Sequence, residues 1–116
     1  MSLRKEQSEF VKCIGSLIEY AYSKNYELTF GDAYRDPRVH GAWSRKESYS
    51  SAYSVHKMKL ACDFNLFVDN KYIQNYHAAW DDLGSYWKSL HKNACWGGDF
   101  SIRDYNHFSF SYGGFR

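Results

Sequence analysis

Cysteine is scarce in this chain. Cys13, Cys62 and Cys95 are odd in number, widely spaced and without a Cys-x-x-Cys pair. That pattern argues against both a disulfide framework and a thiolate zinc site, and it fits synthesis in a reducing compartment. Long hydrophobic runs are missing too: nothing approaches the roughly 18 apolar residues of a membrane span. The polar start Met-Ser-Leu-Arg-Lys-Glu-Gln is no signal peptide, so a site of action outside the cytoplasm would need a separate route of release. Neither sign of charge dominates. Fifteen basic and thirteen acidic residues are mixed along the chain for a net +2, which lacks the clustered basic footprint of a nucleic-acid binder. Proline occurs once, at Pro37.

What is abundant is aromatic side chain, 20% of the 116 residues. That suits a core of Tyr, Phe and Trp, and the length suits one domain spanning 1–116. From Ser8 to Lys24, Phe10, Ile14, Leu17, Ile18 and Ala21 recur at helical spacing, with Ser8 as N-cap and Asn25 at the end. Leu28 and Phe30 mark a short strand bounded by Gly31, which delivers Tyr34 and Arg35 to its end. Residues 36–55 are serine-rich and without period apart from a short helix at Arg45–Ser51, and a segment of that kind is often functional. Leu60, Cys62, Phe64, Leu66 and Val68 then alternate with Ala61, Asp63, Asn65 and Phe67, giving a strand that points Asp63 away from the apolar row. Ile73, Tyr76, Trp80, Leu83, Trp87 and Leu90 form an apolar stripe predicting a helix, with Asp81, Asp82 and Lys88 toward water. Trp96-Gly-Gly-Asp99 is turn chemistry. His107 to Tyr112 alternates as a last strand, and Gly113-Gly114 is expected to fray.

Four polar residues stand out: His56 and Asp63, then Asp104 and His107. Two histidines and a carboxylate are the usual protein ligands of a catalytic zinc with a fourth position left open, and Asp104 is then available as a base. His56 and Asp63 are seven residues apart. In one strand they would face opposite ways, and in one helix they would lie about 10 Å apart along the axis. The chain must therefore bend, with Val55 to Lys59 making the turn. The site also requires the strand of Asp63 to neighbour the last strand in an antiparallel sheet. His40, His77 and His91 read as surface or half-buried residues, and Asp104 taken alone is equally a turn residue.

At these positions the chain resembles the M15 family of zinc peptidases, which contains D-alanyl-D-alanine carboxypeptidases and dipeptidases and phage L-alanyl-D-glutamate endopeptidases. The pattern Ser-x-His-x-x-Gly-x-Ala-x-Asp is met by Ser54, His56, Ala61 and Asp63, and is broken at Lys59. The second signature is met by Asp104-Tyr-Asn-His107-Phe108, with Asn106 where proline is frequent, and Trp96-Gly-Gly-Asp-Phe100 resembles the approach to it.

The resemblance implies an α+β fold, a small antiparallel sheet packed by helices as in Hedgehog and DD-peptidase domains. It implies Zn2+ held by His56, Asp63 and His107, with Asp104 as general base. Arg35 would steady a substrate carbonyl or carboxylate, unless it only pairs with Asp32 or Asp36. Ser54 would hydrogen-bond substrate or serve the turn. The implied activity is cleavage of the peptidoglycan stem peptide by a monomer, of phage L-alanyl-D-glutamate endopeptidase (endolysin) type, reaching the cell wall after release from the host cytoplasm. The alternatives are a D-Ala-D-Ala carboxypeptidase or dipeptidase, and a non-catalytic wall-binding or phage structural module.

Overall fold

The computed structural model describes residues 2–31 and 55–116. Arg35, Ser54 and the helix expected at 45–51 lie outside the described residues. Helix α1 spans Leu3–Ser23. It begins six residues earlier than the apolar spacing suggests: Ser2, not Ser8, is the N-cap, its side chain accepting from the Lys5 N–H at 3.2 Å. The first turns are polar, but Glu6 is buried and accepts from the Asn93 amide at 3.4 Å, so charge there conceals a packed face. Asn25, at φ 62°, ends the helix in the left-handed conformation that asparagine tolerates.

Strand β1, Tyr26–Phe30, pairs antiparallel with β2, Ala61–Val68. Asp69 and Asn70, both at positive φ, turn the chain back into β3, Lys71–Tyr72. Helix α2, Ala78–Leu90, starts later than the stripe predicts, because Ile73 instead extends the β3 ladder by donating to Leu66 O at 2.9 Å. His77 caps it through Nδ1, which accepts from the Ala79 N–H at 2.9 Å. Asp82 does not simply face water: it accepts from the hydroxyls of Tyr20 and Tyr26 at 2.5 and 3.0 Å, tying α1, β1 and α2 together. Strands β4, Ala94–Trp96, and β5, His107–Phe110, complete a sheet of order β1-β2-β5-β4 with β3 also on β2. At the C-terminal end, Tyr112 and Phe115 exchange backbone hydrogen bonds across Gly113 and Gly114.

Alternation along β2 and β5 sorts the sheet into two faces. Leu60, Cys62, Phe64 and Leu66, with Phe108 and Phe110, are buried with Phe10, Leu17, Trp80, Leu83 and Trp87 of the helices. Phe10 meets Trp87 and Phe110 edge-on at 5.7 and 5.3 Å between ring centroids. Trp87 is fully enclosed, yet its Nε1–H donates to Cys95 O at 3.0 Å and Ser109 O at 3.2 Å, so the indole N–H is satisfied. Each enclosed aromatic of this core contributes about 2–3 kcal/mol. The opposite face of the sheet carries Asp63 and His107. The result is a small α+β structure, an antiparallel sheet with two helices among the described residues, and no described helix is long and apolar enough to cross a membrane.

Candidate metal centre

Asp63 of β2 and His107 of β5 are directly opposed in the antiparallel register, so the two side chains project side by side from the same face. The third member comes from the bend that the spacing demands. Val55–Met58 form a single 3-10 turn that carries His56, closed by Lys59 N–H to His56 O at 3.2 Å and Leu60 N–H to Val55 O at 3.0 Å. The chain reverses through Lys59 at φ 59°, the left-handed region that a glycine enters freely and a lysine does not. Lys59 thus stands where the family pattern has glycine, and the backbone there is of the kind glycine supplies.

The three side chains converge. His56, Asp63 and His107 are 1%, 8% and 5% exposed, which for a carboxylate and two imidazoles calls for mutual partners or an ion. One Asp63 oxygen, Oδ1, lies 3.3 Å from His56 Nε2 and 3.3 Å from His107 Nδ1. Neither approach has the alignment of a hydrogen bond, and among the described residues Oδ1 and the buried His107 Nε2 find no hydrogen-bond partner. The two rings stand edge to face at 5.2 Å. One donor atom from each residue fits within 4.8 Å of the others, a set able to hold a metal ion. Zinc bound tetrahedrally at its usual 2.0–2.2 Å separates neighbouring donor atoms by about 3.3–3.5 Å, so the residues fit the ion. Burial alone would push the Asp63 carboxyl up, but the imidazoles of His107 and His56 outweigh it and hold it down at about 2. The Asp63 carboxyl therefore stays an anion.

Asp104 occupies the loop before β5 and is exposed. Its N–H donates to Gly97 O at 2.9 Å, and its carbonyl accepts from the His107 N–H at 3.2 Å. Gly97 is a support that reading by residue type passes over as turn chemistry. A Cβ there would sit 2.0 Å from Asp104 O and 2.8 Å from His107 Cβ, so only glycine lets the turn after β4 underlie the Asp104–His107 loop. Trp96 anchors the same turn. Its ring lies so close to Gly84 of α2 and to Gly98 that a Cβ at either would fall within 2.2–2.3 Å of it, and its Nε1–H donates to Tyr105 O at 2.8 Å. The glycines at 84, 97 and 98 make one close-packed joint between α2, the turn and the site loop.

The cysteines stay out of the centre. All three are free, and Cys62 points into the core, where burial pushes its thiol up to about 12. His91 is half-buried, as expected: its Nε2 pairs with Glu9 at 2.8 Å and its ring stacks on Phe110 at 4.4 Å, and it is not part of the cluster.

A comparison with curated proteins gives no match. A family model described as D-alanyl-D-alanine carboxypeptidase matches residues 48–110, a span that contains His56, Asp63, Asp104 and His107. That span is more than half of the chain, and on it the chain belongs to the M15 family of peptidases.

Proposed function

We propose that the protein is a zinc-dependent peptidase of the bacterial cell-wall stem peptide, of the L-alanyl-D-glutamate endopeptidase type that phages release onto the wall. The observation that carries the zinc reading is the buried convergence of His56, Asp63 and His107 from a 3-10 turn and two paired strands, with one carboxylate oxygen 3.3 Å from a nitrogen of each ring. Those three residues would hold the ion. Bound there, zinc supplies Lewis acidity toward the carbonyl of the scissile bond.

The rest of the chemistry falls to the chain. The Asp104 carboxylate takes a proton from the water that attacks the carbonyl carbon and gives it to the leaving amine. Asp104 is exposed, and its backbone bonds to Gly97 and His107 tie it to the loop that leads into His107. Arg35 steadies the substrate carbonyl or a carboxylate, and Ser54 hydrogen-bonds the substrate. Both roles rest on the family pattern.

The description of the matched family favours a second reading, removal of terminal D-alanine. Digestion of purified wall followed by mass spectrometry of the new termini separates them: new L-alanine carboxyl ends support the endopeptidase, and release of D-alanine alone replaces it with the carboxypeptidase. Asp104→Asn should lower kcat by about 100-fold or more while zinc content stays stoichiometric. Undiminished lysis by the zinc-loaded variant removes Asp104 from the mechanism.

A further inference from the structure

Strand β2 changes partners along one edge. Ala61 to Asp63 pair with β5, whereas Phe67 and Val68 pair with β3. The first ladder ends with Phe64 N–H on Asn106 O at 3.1 Å, and the second begins with Ile73 N–H on Leu66 O at 2.9 Å. The two partners therefore part at Asn65, leaving a notch in the sheet edge.

A cleft of about 200 Å³ occupies this notch, and its polar lining includes Asn65, Gln74, Asn75, Asn106, Arg103 and Asp104. The carboxamides of Gln74, Asn75 and Asn106, each with donor and acceptor atoms, and the acceptor oxygen of Asn65 match the alternating N–H and C=O groups of a peptide. Asn65 is held in place by donating to Thr29 Oγ1 at 3.2 Å and Phe30 O at 3.4 Å. Arg103 is exposed and makes no ion pair with a described carboxylate, although Asp104 is its neighbour in sequence. Arginine is the side chain suited to bidentate recognition of a carboxylate, and Arg103 is the one cation among the described residues of this cleft's lining. Asp104 belongs both to this lining and to the proposed catalytic set, so a group seated in the cleft is adjacent to the reacting bond.

We infer that Arg103 is a specificity-determining residue that reads a free carboxylate on the substrate peptide, seated in the cleft between β3 and the Arg103–Asn106 loop. The inference rests on the peptidase reading and deepens it by naming the feature of the substrate that is selected: the free acid over the same peptide carrying a carboxamide at that position.

The test compares matched stem peptides, free acid and carboxamide, by kcat/KM. The zinc-loaded parent should prefer the acid by about tenfold, the worth of one solvent-accessible charged hydrogen bond. Arg103→Gln should bring the ratio near one, and Arg103→Lys should restore part of it. An equal preference in parent and Arg103→Gln, or none in the parent, overturns the inference. Should the parent cleave neither peptide, the peptidase reading fails, and binding decides the rest. Titration with the acid peptide should shift the side-chain amide resonances of Asn65 and Asn106 with a midpoint about tenfold lower in the parent than in Arg103→Gln. No shift in the parent, or the same midpoint in both, overturns the inference on its own.

Discussion

Lys59 stands at φ 59°, on the bend that lets His56 fold back toward Asp63. A side chain in that region costs about 1–2 kcal/mol, against which glycine loses about 0.5–1 kcal/mol through the greater freedom of its unfolded chain. Lys59→Gly should therefore stabilise the protein by about 0.5–1 kcal/mol, seen as a higher urea midpoint with an unchanged m-value. A lower midpoint would show that the contacts of the lysine side chain outweigh the backbone. At Asp63 the sign is set by a lowered pKa. Its carboxyl is held at about 2, below the ordinary value near 3.9, so its ionisation stabilises the native state above about pH 4, and that contribution is lost as pH falls toward 2. In metal-free protein the stability advantage that the Asp63 carboxylate gives the parent over Asp63→Asn should shrink progressively between about pH 4 and 2. A difference constant through that range would mean that the carboxylate is not held by the imidazoles.

Elements were legible where one face is apolar over several turns or several strand residues. The alternation from Leu60 to Val68 predicts both β2 and the outward direction of Asp63, and the pairing of Asp63 with His107 meets the requirement that the two strands be neighbours. Short or polar elements were not legible. Three residues of β4 are too few for a period to register, and the polar opening of α1 conceals a buried Glu6. The Asp69-Asn70 hairpin does carry a sequence signal, two residues suited to positive φ between apolar segments, while Ile73 and Tyr76 share the helical spacing of the stripe by coincidence. Arg35 and Ser54 fall outside the described residues, so their part in the site rests on pattern alone. The least visible element was the turn after β4, whose requirement is for absent side chains. Gly97→Ala puts a methyl against Asp104 O, a backbone atom that cannot rotate away. It should cost about 2 kcal/mol or more and displace the His107 loop, so that metal affinity falls along with the melting temperature. Unaltered affinity and stability would show that the turn yields without moving the site.

The whole molecule is organised by its two-sided sheet. The helices bury one face and fix the strands, and the other face brings together three side chains able to hold a metal ion, from sequence positions 56, 63 and 107. An ion held by all three would tie the turn at 55–58 to β2 and β5, and the same three donors are scattered once the chain unfolds, so binding free energy becomes folding free energy. With free zinc at about 100 times its dissociation constant, linkage contributes about 2.7 kcal/mol. For a domain of roughly this size each kcal/mol moves the melting temperature by about 4–8 °C, so loading should raise it by about 10 °C or more. His56→Ala should abolish most of that shift, whereas Asp104→Asn should keep it in full while losing hydrolysis. An equal shift in parent and His56→Ala would place the metal elsewhere, and a shift lost in Asp104→Asn would make Asp104 a ligand in place of a base. The pair of variants thus separates holding the ion from moving the proton, two tasks that a single measurement of activity cannot tell apart.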